Sequence, residues 1–394
     1  MNKLVVQRQR VGPILGRHPW VFSGALQHIP EGLKSGDAVM LVNEEGAFLA
    51  HGYFNSYSQI AVRLWSWDEN EIIDAKFFEK RIASAYAIRK NLIASPKTDS
   101  YRLVHSENDL LPGLIVDKYA DCLVLQFHTP GIEAWKDQIV GALKKIVKPK
   151  GIYERSDVRT RGIEGAEKQV GLLYGKVPER IKISENGYKF WVDVIGGQKT
   201  GFFLDQRDKR QALTKYVKGK TVVNCFSYSG GFSVYALGAG AKKVISVDAS
   251  ESALELAVAN VKLNKFDIKK CEFIAGDVKQ YLADAQAEKK KFDVIILDPP
   301  AFVKDRHKVA EGMVGYKKIN EAALRILSAD GILVSASCSA HVSLLDFRHM
   351  LTESAGRARR TLQVLETYTH GIDHPELTAF TEGEYLKCLF ALAS

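Results

Sequence analysis

The sequence has few cysteines and arranges none of them as a pair. Five cysteines occur among 394 residues, and no two of them form a Cys-x-x-Cys motif. Scattered cysteines in an odd number argue against a disulfide framework and against a zinc site with the usual ligand spacing. We therefore expect a protein of the reducing cytoplasm that binds no metal.

Long apolar runs are also missing. No stretch approaches the roughly 20 apolar residues that a membrane span needs, and the first residues, MNKLVVQRQRVG, lack the apolar core of a signal peptide. We expect no membrane partner. The excess of 55 Lys and Arg over 46 Asp and Glu, a formal net charge of +9, instead favours a polyanionic partner.

The chain is too long for one hydrophobic core, and its patterns change along its length. Residues 1–73 alternate polar and apolar positions between glycine-containing turns, which predicts a small all-β barrel. Residues 74–187 begin with an amphipathic helix capped by Asp74 and continue as a small central α/β domain. Residues 188–394 alternate β-branched apolar runs with helices, which predicts a doubly wound, mostly parallel sheet.

The candidate cofactor residues lie at the ends of the first three strands of this sheet, where such folds bind ligands. After the first strand, NCFSYSGGF (224–232) contains a glycine pair suited to a tight turn. It is neither Gly-x-Gly-x-x-Gly nor a phosphate loop, which argues against a nicotinamide enzyme. Asp248 ends the second strand, where it could accept both hydroxyls of a ribose. Asp277 ends the third strand, where it could bind an adenine amino group or cap a helix. This spacing predicts an adenosine-containing cofactor.

The fourth and fifth predicted strands are followed by residues of a different kind, an acid before two prolines and a cysteine between two serines. Asp298-Pro299-Pro300 follows the fourth strand, and its two prolines fix φ and hold the segment extended. Such a stiff loop can hold an acid and carbonyl groups against a flat base. The fifth strand ends in SASCSA (335–340), which places Cys338 between two serines whose hydroxyls could bond a loop or a thiolate. From these residues alone, Cys338 could be either a core side chain or a catalytic thiol.

The other four cysteines have structural interpretations. Cys122, Cys271 and Cys388 lie in or beside apolar runs, and each is expected to be a small buried side chain. Cys225 ends the first strand of the parallel sheet and is expected to pack beneath the cofactor.

Taken together, these motifs resemble those of class I S-adenosylmethionine-dependent methyltransferases. The wider pattern is similar to the bacterial 23S ribosomal RNA cytosine-5 methyltransferases of the three-domain type, and the resemblance covers essentially the whole chain. It implies an N-terminal PUA barrel, a small central α/β domain and a C-terminal Rossmann-like catalytic domain. The segments that carry it are HPWVFSG (18–24), SENDLLPGLIVDKY (106–119), YERSDV (153–158), KTGFFLDQRDKR (199–210), NCFSYSGGFSVYA (224–236), SCS (337–339) and EGEYLK (382–387).

The resemblance also implies a cofactor, S-adenosylmethionine, and residues that bind it. In the family pattern, residues 226–231 wrap the methionine end of the cofactor, Asp248 holds the ribose and Asp277 binds the adenine edge. The segment before the first strand is expected to line the cofactor and substrate cleft. The residues expected to bind the cofactor are Phe203, Asp205, Phe226, Ser227, Tyr228, Gly230, Gly231, Asp248, Asp277, Asp298 and Pro299.

The implied reaction is methylation of carbon 5 of a cytosine in 23S ribosomal RNA, and this chemistry needs a cysteine. Carbon 5 is not nucleophilic enough to attack a methyl sulfonium unaided, but addition of a thiolate to carbon 6 makes the ring an enamine. Cys338 is the candidate nucleophile, and Asp298 is the candidate acid near ring nitrogen 3 or the exocyclic amine. The base that removes the carbon-5 proton stays open between water and Asp298.

Basic residues in several parts of the sequence are candidates for phosphate contacts with RNA. They lie near the N-terminus, in the central domain, before the first strand of the parallel sheet and just after the Asp298 loop. The candidates are Arg17, Arg155, Arg159, Arg207, Lys304 and Arg306. Residues 303–315 are rich in glycine and charge and are predicted to form a mobile lid.

Two other functions fit parts of the pattern. A methyltransferase acting on a guanine or adenine of RNA would share the cofactor site but need no nucleophilic cysteine. A non-catalytic ribosomal RNA-binding assembly factor could keep the fold without the reaction, although Asp248, Asp277 and Asp298 argue against it. The sequence leaves open which nucleotide is modified, whether the substrate is naked RNA or a partly assembled subunit, and whether the protein is a monomer or a homodimer.

Overall fold

The computed structural model describes residues 1–303 and 305–394, and it divides the chain into two compact units. Lys304 lies outside the described residues. The first unit comprises Met1–Ile183, Val192–Leu204 and Ile372–Gly383. The second unit comprises Ser184–Trp191, Asp205–Gly371 and Glu384–Ser394. No described helix combines the length and the apolar character needed to cross a membrane.

The N-terminal part of the first unit is a five-stranded sheet. Its elements are β1 (Asn2–Val5), α1 (Val11–Leu15), β2 (Trp20–Phe22), β3 (Ala38–Val42), β4 (Phe48–Phe54) and β5 (Ile60–Ser66). The strand order is β1-β3-β4-β5-β2, with β1 parallel to β3 and the other neighbours antiparallel. Its core contains Leu41 and Val62, both fully buried.

A second five-stranded sheet follows in the same unit. Its elements are α2 (Ala75–Leu92), β6 (Tyr101–His105), β7 (Leu114–Tyr119), β8 (Cys122–Phe127), α3 (Pro130–Glu133), α4 (Lys136–Ile146), β9 (Gly151–Ser156), α5 (Thr160–Ile163) and β10 (Gln169–Gly175). Asp74 caps α2 as predicted, because its carboxylate accepts the Phe77 amide at 3.0 Å. Tyr53 and Trp65 of the first sheet pack in one core with Phe78 of α2, so both sheets belong to a single compact unit.

The predicted parallel sheet forms the second unit. A hairpin of β11 (Arg180–Glu185) and β12 (Tyr188–Asp193) carries the chain from one unit to the other. The following elements are α6 (Arg207–Leu213), β13 (Thr221–Cys225), α7 (Gly231–Gly238), β14 (Lys243–Asp248), α8 (Glu251–Leu263), β15 (Cys271–Ala275), α9 (Val278–Ala287), β16 (Phe292–Leu297), α10 (Val309–Ile326), β17 (Leu327–Ser337), α11 (Leu344–Ala358), β18 (Leu362–Tyr368) and β19 (Lys387–Ala393).

The strand order in this unit is β15-β14-β13-β16-β17-β19-β18. The first five strands are parallel, and β19 runs antiparallel to both β17 and β18. The order reverses between β13 and β16, and ligands of open α/β sheets bind at such a switch point. Val223, Ile295 and Leu333 from adjacent strands are fully buried in the core beneath it. The predicted Rossmann-like sheet is confirmed.

The segment predicted to form a mobile lid, residues 303–315, is partly helical, because α10 already begins at Val309. Gly312 explains the misleading pattern. A Cβ at Gly312 would lie 2.3 Å from Val303 Cγ2 and 2.9 Å from the Phe302 carbonyl carbon. The glycine therefore allows the helix to approach the preceding segment closely and does not mark a flexible loop.

Candidate active site at the carboxyl edge of the parallel sheet

The turn after β13 is held by the acid at the end of β14. Phe226, Tyr228 and Gly230 all adopt left-handed backbone conformations, with φ of 58°, 46° and 75°. Asp248 accepts the Tyr228 amide at 2.8 Å through Oδ2 and the Ser250 amide at 2.9 Å through Oδ1. Left-handed non-glycine residues cost of order 1–3 kcal/mol each and cluster at functional sites. Asp248 thus fixes a strained turn at the switch point.

Asp248 and Asp277 differ in whether they cap the helix that follows their strand. Ser250 caps α8, since its hydroxyl accepts the Ala253 amide at 3.3 Å, so Asp248 is not needed for that purpose. Asp277 does cap a helix, because its Oδ1 accepts the amides of Lys279 and Gln280 at 2.8 and 3.0 Å. The other carboxylate oxygen of Asp277 takes no part in these two bonds.

Cys338 and the Asp298-Pro299 segment meet where β16 and β17 end. The two strands are parallel neighbours, with Leu297 opposite Ser335. The Sγ atom of Cys338 lies 3.9 Å from the carbonyl oxygen of Pro299, and the cysteine is half-buried. The structure therefore brings the predicted nucleophile to the predicted acid-bearing loop.

Two residues missed by the sequence analysis, Gln206 and Lys209, interact with the Asp298 carboxylate. The Nε2 group of Gln206 donates to both carboxylate oxygens of Asp298, at 3.0 and 2.9 Å. Lys209 is fully buried and donates to the Asp205 carbonyl oxygen. Burial lowers the pKa of Lys209, and nearby carboxylates, among them Asp205 and Asp298, act in the opposite direction. Both residues lie in the segment KTGFFLDQRDKR, which carries the family resemblance but does not show which of its side chains lie near Asp298.

The residues expected before the first strand lie in both units. Phe203 belongs to the first unit, where the Lys199 ammonium lies 4.6 Å from its ring centre. In the second unit, Asp205 accepts a hydrogen bond from the Tyr385 hydroxyl at 2.7 Å.

Glu185 is a further buried acid in the second unit that the sequence analysis did not single out. Arg210 donates to both of its carboxylate oxygens at 2.7 Å. The Nε atom of Arg207 lies 3.7 Å from Glu185 Oε2, and Arg207 is only 3% exposed. Arg207, a candidate for a phosphate contact in the sequence, is therefore buried beside an acid of its own unit.

The candidate RNA-binding arginines differ in exposure. Arg155 is buried and donates to the carbonyl oxygens of Val194 and Gly197, both at 3.0 Å. Arg17, Arg159 and Arg306 are exposed, and the Arg17 guanidinium lies 5.3 Å from the centre of a tryptophan ring. The exposed arginines are available to phosphate groups, whereas Arg155 is engaged within its own unit.

The remaining cysteines are poor nucleophiles at neutral pH. Cys122, Cys225 and Cys388 are buried, and burial raises the pKa of each thiol. The expectation of full burial is wrong for Cys271, which is half-buried because β15 is an edge strand. Burial nonetheless raises the pKa of Cys271 to about 11. Among the described residues, no group of three or more His, Cys, Asp and Glu side chains is arranged to hold a metal ion.

Comparisons with known proteins agree with this geometry. Residues 164–389 match the S-adenosylmethionine-dependent methyltransferase family, and residues 4–67 match the PUA-like domain. The chain is 43% identical to Ribosomal RNA large subunit methyltransferase I of Tolumonas auensis, over 98% of both chains. The protein of the same name from Aliivibrio fischeri is 43% identical over 94% of both chains. The chain belongs to this family of S-adenosylmethionine-dependent methyltransferases.

Two solved structures resemble the whole methyltransferase. One is from Streptococcus mutans and is described as a SAM-dependent methyltransferase; it matches with a TM-score of 0.85 and 26% identity over 100% of both chains. The other is described as a methyltransferase complexed with SAH and matches with a TM-score of 0.87, at the same identity and coverage. The predicted PUA-like and Rossmann-like methyltransferase domains and the predicted cofactor, S-adenosylmethionine, are confirmed.

The residues around the β13 turn fit this cofactor. Ser227 Oγ, Ser229 Oγ and Asn224 Oδ1 are buried and have no hydrogen-bond partner within residues 1–303 and 305–394. A buried polar atom without a partner costs about 1–3 kcal/mol. At the cofactor's amino-acid end, the ammonium can donate to the Asn224 amide oxygen or to a serine oxygen, and the carboxylate can accept from a serine hydroxyl. The polar atoms of this turn are therefore arranged for a polar ligand.

Proposed function

We propose that this methyltransferase transfers a methyl group to carbon 5 of a cytosine in 23S ribosomal RNA through a covalent adduct on Cys338. The observation that carries the proposal is the 3.9 Å contact between Cys338 Sγ and the Pro299 carbonyl oxygen, which puts a thiol beside the Asp298 loop. Methylation of a guanine or adenine nitrogen needs no such thiol, because the nitrogen has its own lone pair. The name shared by the relatives, Ribosomal RNA large subunit methyltransferase I, supports the choice of ribosomal RNA.

In this proposal the cofactor half of the site is formed by the turn 226–231, Asp248 and Asp277. When bound, S-adenosylmethionine supplies an electrophilic methyl group on a sulfonium sulfur. Asp248 faces the ribose hydroxyls while holding the Tyr228 amide, and the unpaired hydroxyl of Ser227 binds the amino-acid end. Asp277 contacts the adenine edge through the oxygen that does not cap α9.

Cys338 and Asp298 act on the cytosine. The Cys338 thiolate forms a bond to carbon 6, and the ring electrons move toward carbon 5 and nitrogen 3. Asp298, oriented by two hydrogen bonds from Gln206, binds nitrogen 3 or the exocyclic amine and stabilises the adduct. Carbon 5 would take the methyl group as the bond between that group and the sulfonium sulfur breaks, which leaves a neutral thioether, and would then lose its proton to water or to Asp298. The carbon–sulfur bond breaks, which restores the aromatic ring and the thiolate.

Exposed basic residues position the RNA in this proposal. Arg17, Arg159 and Arg306 are the candidates for phosphate contacts, because their guanidinium groups are exposed to solvent. Lys304, beside the Asp298 loop, remains a candidate from the sequence. A ribosomal RNA substrate implies action in the cytoplasm.

Mapping of ribosomal RNA tests the reaction. Bisulfite sequencing of RNA from cells with and without the gene is expected to show one 5-methylcytosine in 23S RNA that depends on the gene. Survival of every 5-methylcytosine would contradict the proposal.

Substitution of Cys338 tests the covalent step. Cys338→Ala is expected to lower the methylation rate at least about 10³-fold, since it removes the thiolate that adds to carbon 6 in this proposal. Calorimetry should show unchanged cofactor affinity. Cys271→Ala is the matched control, a half-buried cysteine at the edge of the same sheet, and should retain full activity. Full activity of Cys338→Ala would instead favour a guanine or adenine substrate.

A further inference from the structure

Lys387 is a buried lysine beside the proposed nucleophile. It begins β19, where it pairs with Ser337, the residue before Cys338. The side chain is 1% exposed, and its ammonium donates to the carbonyl oxygens of Ser339 at 2.8 Å and Tyr385 at 3.2 Å. Lys387 thus contacts the residues on both sides of Cys338 in the chain.

The two serines around Cys338 are fixed by α10. Ser337 Oγ donates to the Tyr316 hydroxyl at 2.9 Å, and that hydroxyl is also hydrogen-bonded to Ser339 Oγ at 2.9 Å. The Ser339 hydroxyl additionally accepts the Val303 amide at 3.2 Å. Hydrogen bonds therefore hold the residues on both sides of Cys338. The pairing of β17 with β19 sets the position of the Lys387 ammonium relative to the cysteine.

In the part of the chain that the structure describes, the Lys387 ammonium bonds two carbonyl oxygens and forms no ion pair with a carboxylate within 4.0 Å. Removing an ammonium from water costs several kcal/mol unless another charge compensates it. Burial lowers the pKa of Lys387, and Glu384, Cys338 and Asp346 act in the opposite direction. The cysteine is the nucleophile among these three groups.

Several other groups near Cys338 are neutral or acidic. Tyr316 on α10 stays neutral because burial raises its pKa. Asp298 and the Pro299 carbonyl after β16 are acceptors, and Asp346 on α11 and Glu384 before β19 are acids. Lys387 is a cation that interacts electrostatically with the cysteine and bonds the carbonyl oxygen of the next residue, Ser339.

We propose that Lys387 is a positioning residue that holds Cys338 as a thiolate and stabilises that thiolate when it leaves carbon 6. This inference rests on the proposed function, in which Cys338 is the nucleophile. The thiolate, not the thiol, adds to carbon 6, and a cation nearby favours the charged form. Negative charge moves from sulfur to the ring during addition and returns to sulfur during elimination. The proton balance is unchanged, because Lys387 keeps its proton throughout.

The pH dependence of alkylation tests the inference without RNA or cofactor. The rate at which iodoacetamide modifies Cys338, followed by peptide mass spectrometry, is expected to rise with an inflection below about 8.5, the value for an ordinary thiol. Lys387→Met should move that inflection up by about one pH unit or more, roughly a tenfold loss of rate at pH 7. Lys215→Met, which removes an exposed lysine paired with Glu366 in the same unit, is the matched control and should leave the inflection unchanged.

Methylation should follow the same shift. The acid limb of the rate profile for Lys387→Met is expected to move to higher pH, so that activity lost at pH 7 returns toward pH 9. A merely structural role for Lys387 would lower the rate equally at every pH. Lys387→Arg, which keeps the charge, should retain the wild-type inflection.

The outcomes separate this inference from the proposed function. A folded Lys387→Met protein with the wild-type inflection overturns the inference. If that variant does not fold, a wild-type inflection at or above about 8.5 overturns it without any variant. If Cys338→Ala stays active while Lys387→Met shifts the alkylation inflection, the proposed reaction fails but the coupling of Lys387 to Cys338 stands.

Discussion

The two halves of the sheet's carboxyl edge are built in different ways. In the cofactor half, at the ends of β13, β14 and β15, acids bind backbone amides a few residues to about 20 residues away, as Asp248 binds those of Tyr228 and Ser250. In the transfer half, at the ends of β16 and β17, side chains from distant elements contact the proposed reacting groups or the residues beside them. Gln206 reaches Asp298 across 92 positions, and Lys387 reaches Ser339 across 48.

This difference has a chemical reason. A cofactor common to many enzymes needs hydrogen-bond acceptors at fixed positions, and a strand end followed by a helix provides them locally. A thiolate and an acid that act on a nucleic acid base need their charge tuned, and buried charged side chains do this. Substitutions in the transfer half should therefore change rates, and those in the cofactor half should change affinity.

The largest effect is expected at Asp298. Asp298→Asn should lower kcat for RNA methylation about 10²–10⁴-fold, because the charge and proton exchange that stabilise the adduct are lost. Single-turnover kinetics would measure it. Asp293→Asn is the matched control, since Asp293 stands at the other end of the same strand and accepts the Thr221 amide at 2.7 Å. A rate for Asp298→Asn within threefold of wild type would remove Asp298 from the chemistry.

Much of this fold follows from local sequence patterns. The predicted strands ending at Asp248 and before Asp298 coincide with β14 and β16, because continuous β-branched runs bounded by helices have few other solutions. Helix caps such as Asp74 and Ser250 are also predictable, because each cap side chain bonds an amide only three residues later in the sequence.

The transfer half was only partly predictable. Asp298 and Cys338 could be found because each directly follows a strand, but Gln206, Lys209 and Lys387 could not, because their roles depend on pairings between distant elements. Lys387 begins a strand of seven residues that is otherwise apolar, and its burial depends on the position of that strand between β17 and β18. Gly312 also gave an ambiguous signal in the sequence. Glycine occurs both in flexible loops and where a helix packs closely against another segment, and only the structure shows the close packing.

A smaller effect is expected at Asp248, and on affinity. Asp248→Ala should weaken S-adenosylmethionine binding about 10- to 100-fold, since it removes the proposed ribose acceptor and releases the Tyr228 amide. Isothermal titration calorimetry would measure the change, with kcat at saturating cofactor falling much less. Asp267→Ala serves as the control because Asp267 caps a short helix by accepting the Lys269 amide at 3.0 Å. Equal losses of affinity in both variants would contradict a cofactor role for Asp248.

The smallest effect is expected at Ser227, and it has opposite signs in the two states of the protein. Without cofactor, Ser227→Ala should raise the free energy of unfolding by about 1 kcal/mol, because a buried hydroxyl that has no partner in the described chain is removed. With cofactor, the variant should bind several-fold more weakly. The matched control is Ser233→Ala, a buried serine whose hydroxyl accepts from Asn224 at 2.9 Å and bonds Ser246 at 2.8 Å; this change should lower stability. Thermal unfolding with and without S-adenosylmethionine measures both signs. If Ser227→Ala destabilised the cofactor-free protein as Ser233→Ala does, the Ser227 hydroxyl would already have a hydrogen-bond partner within the protein. The turn would then have a structural role, and this hydroxyl would not be a binding group for the cofactor.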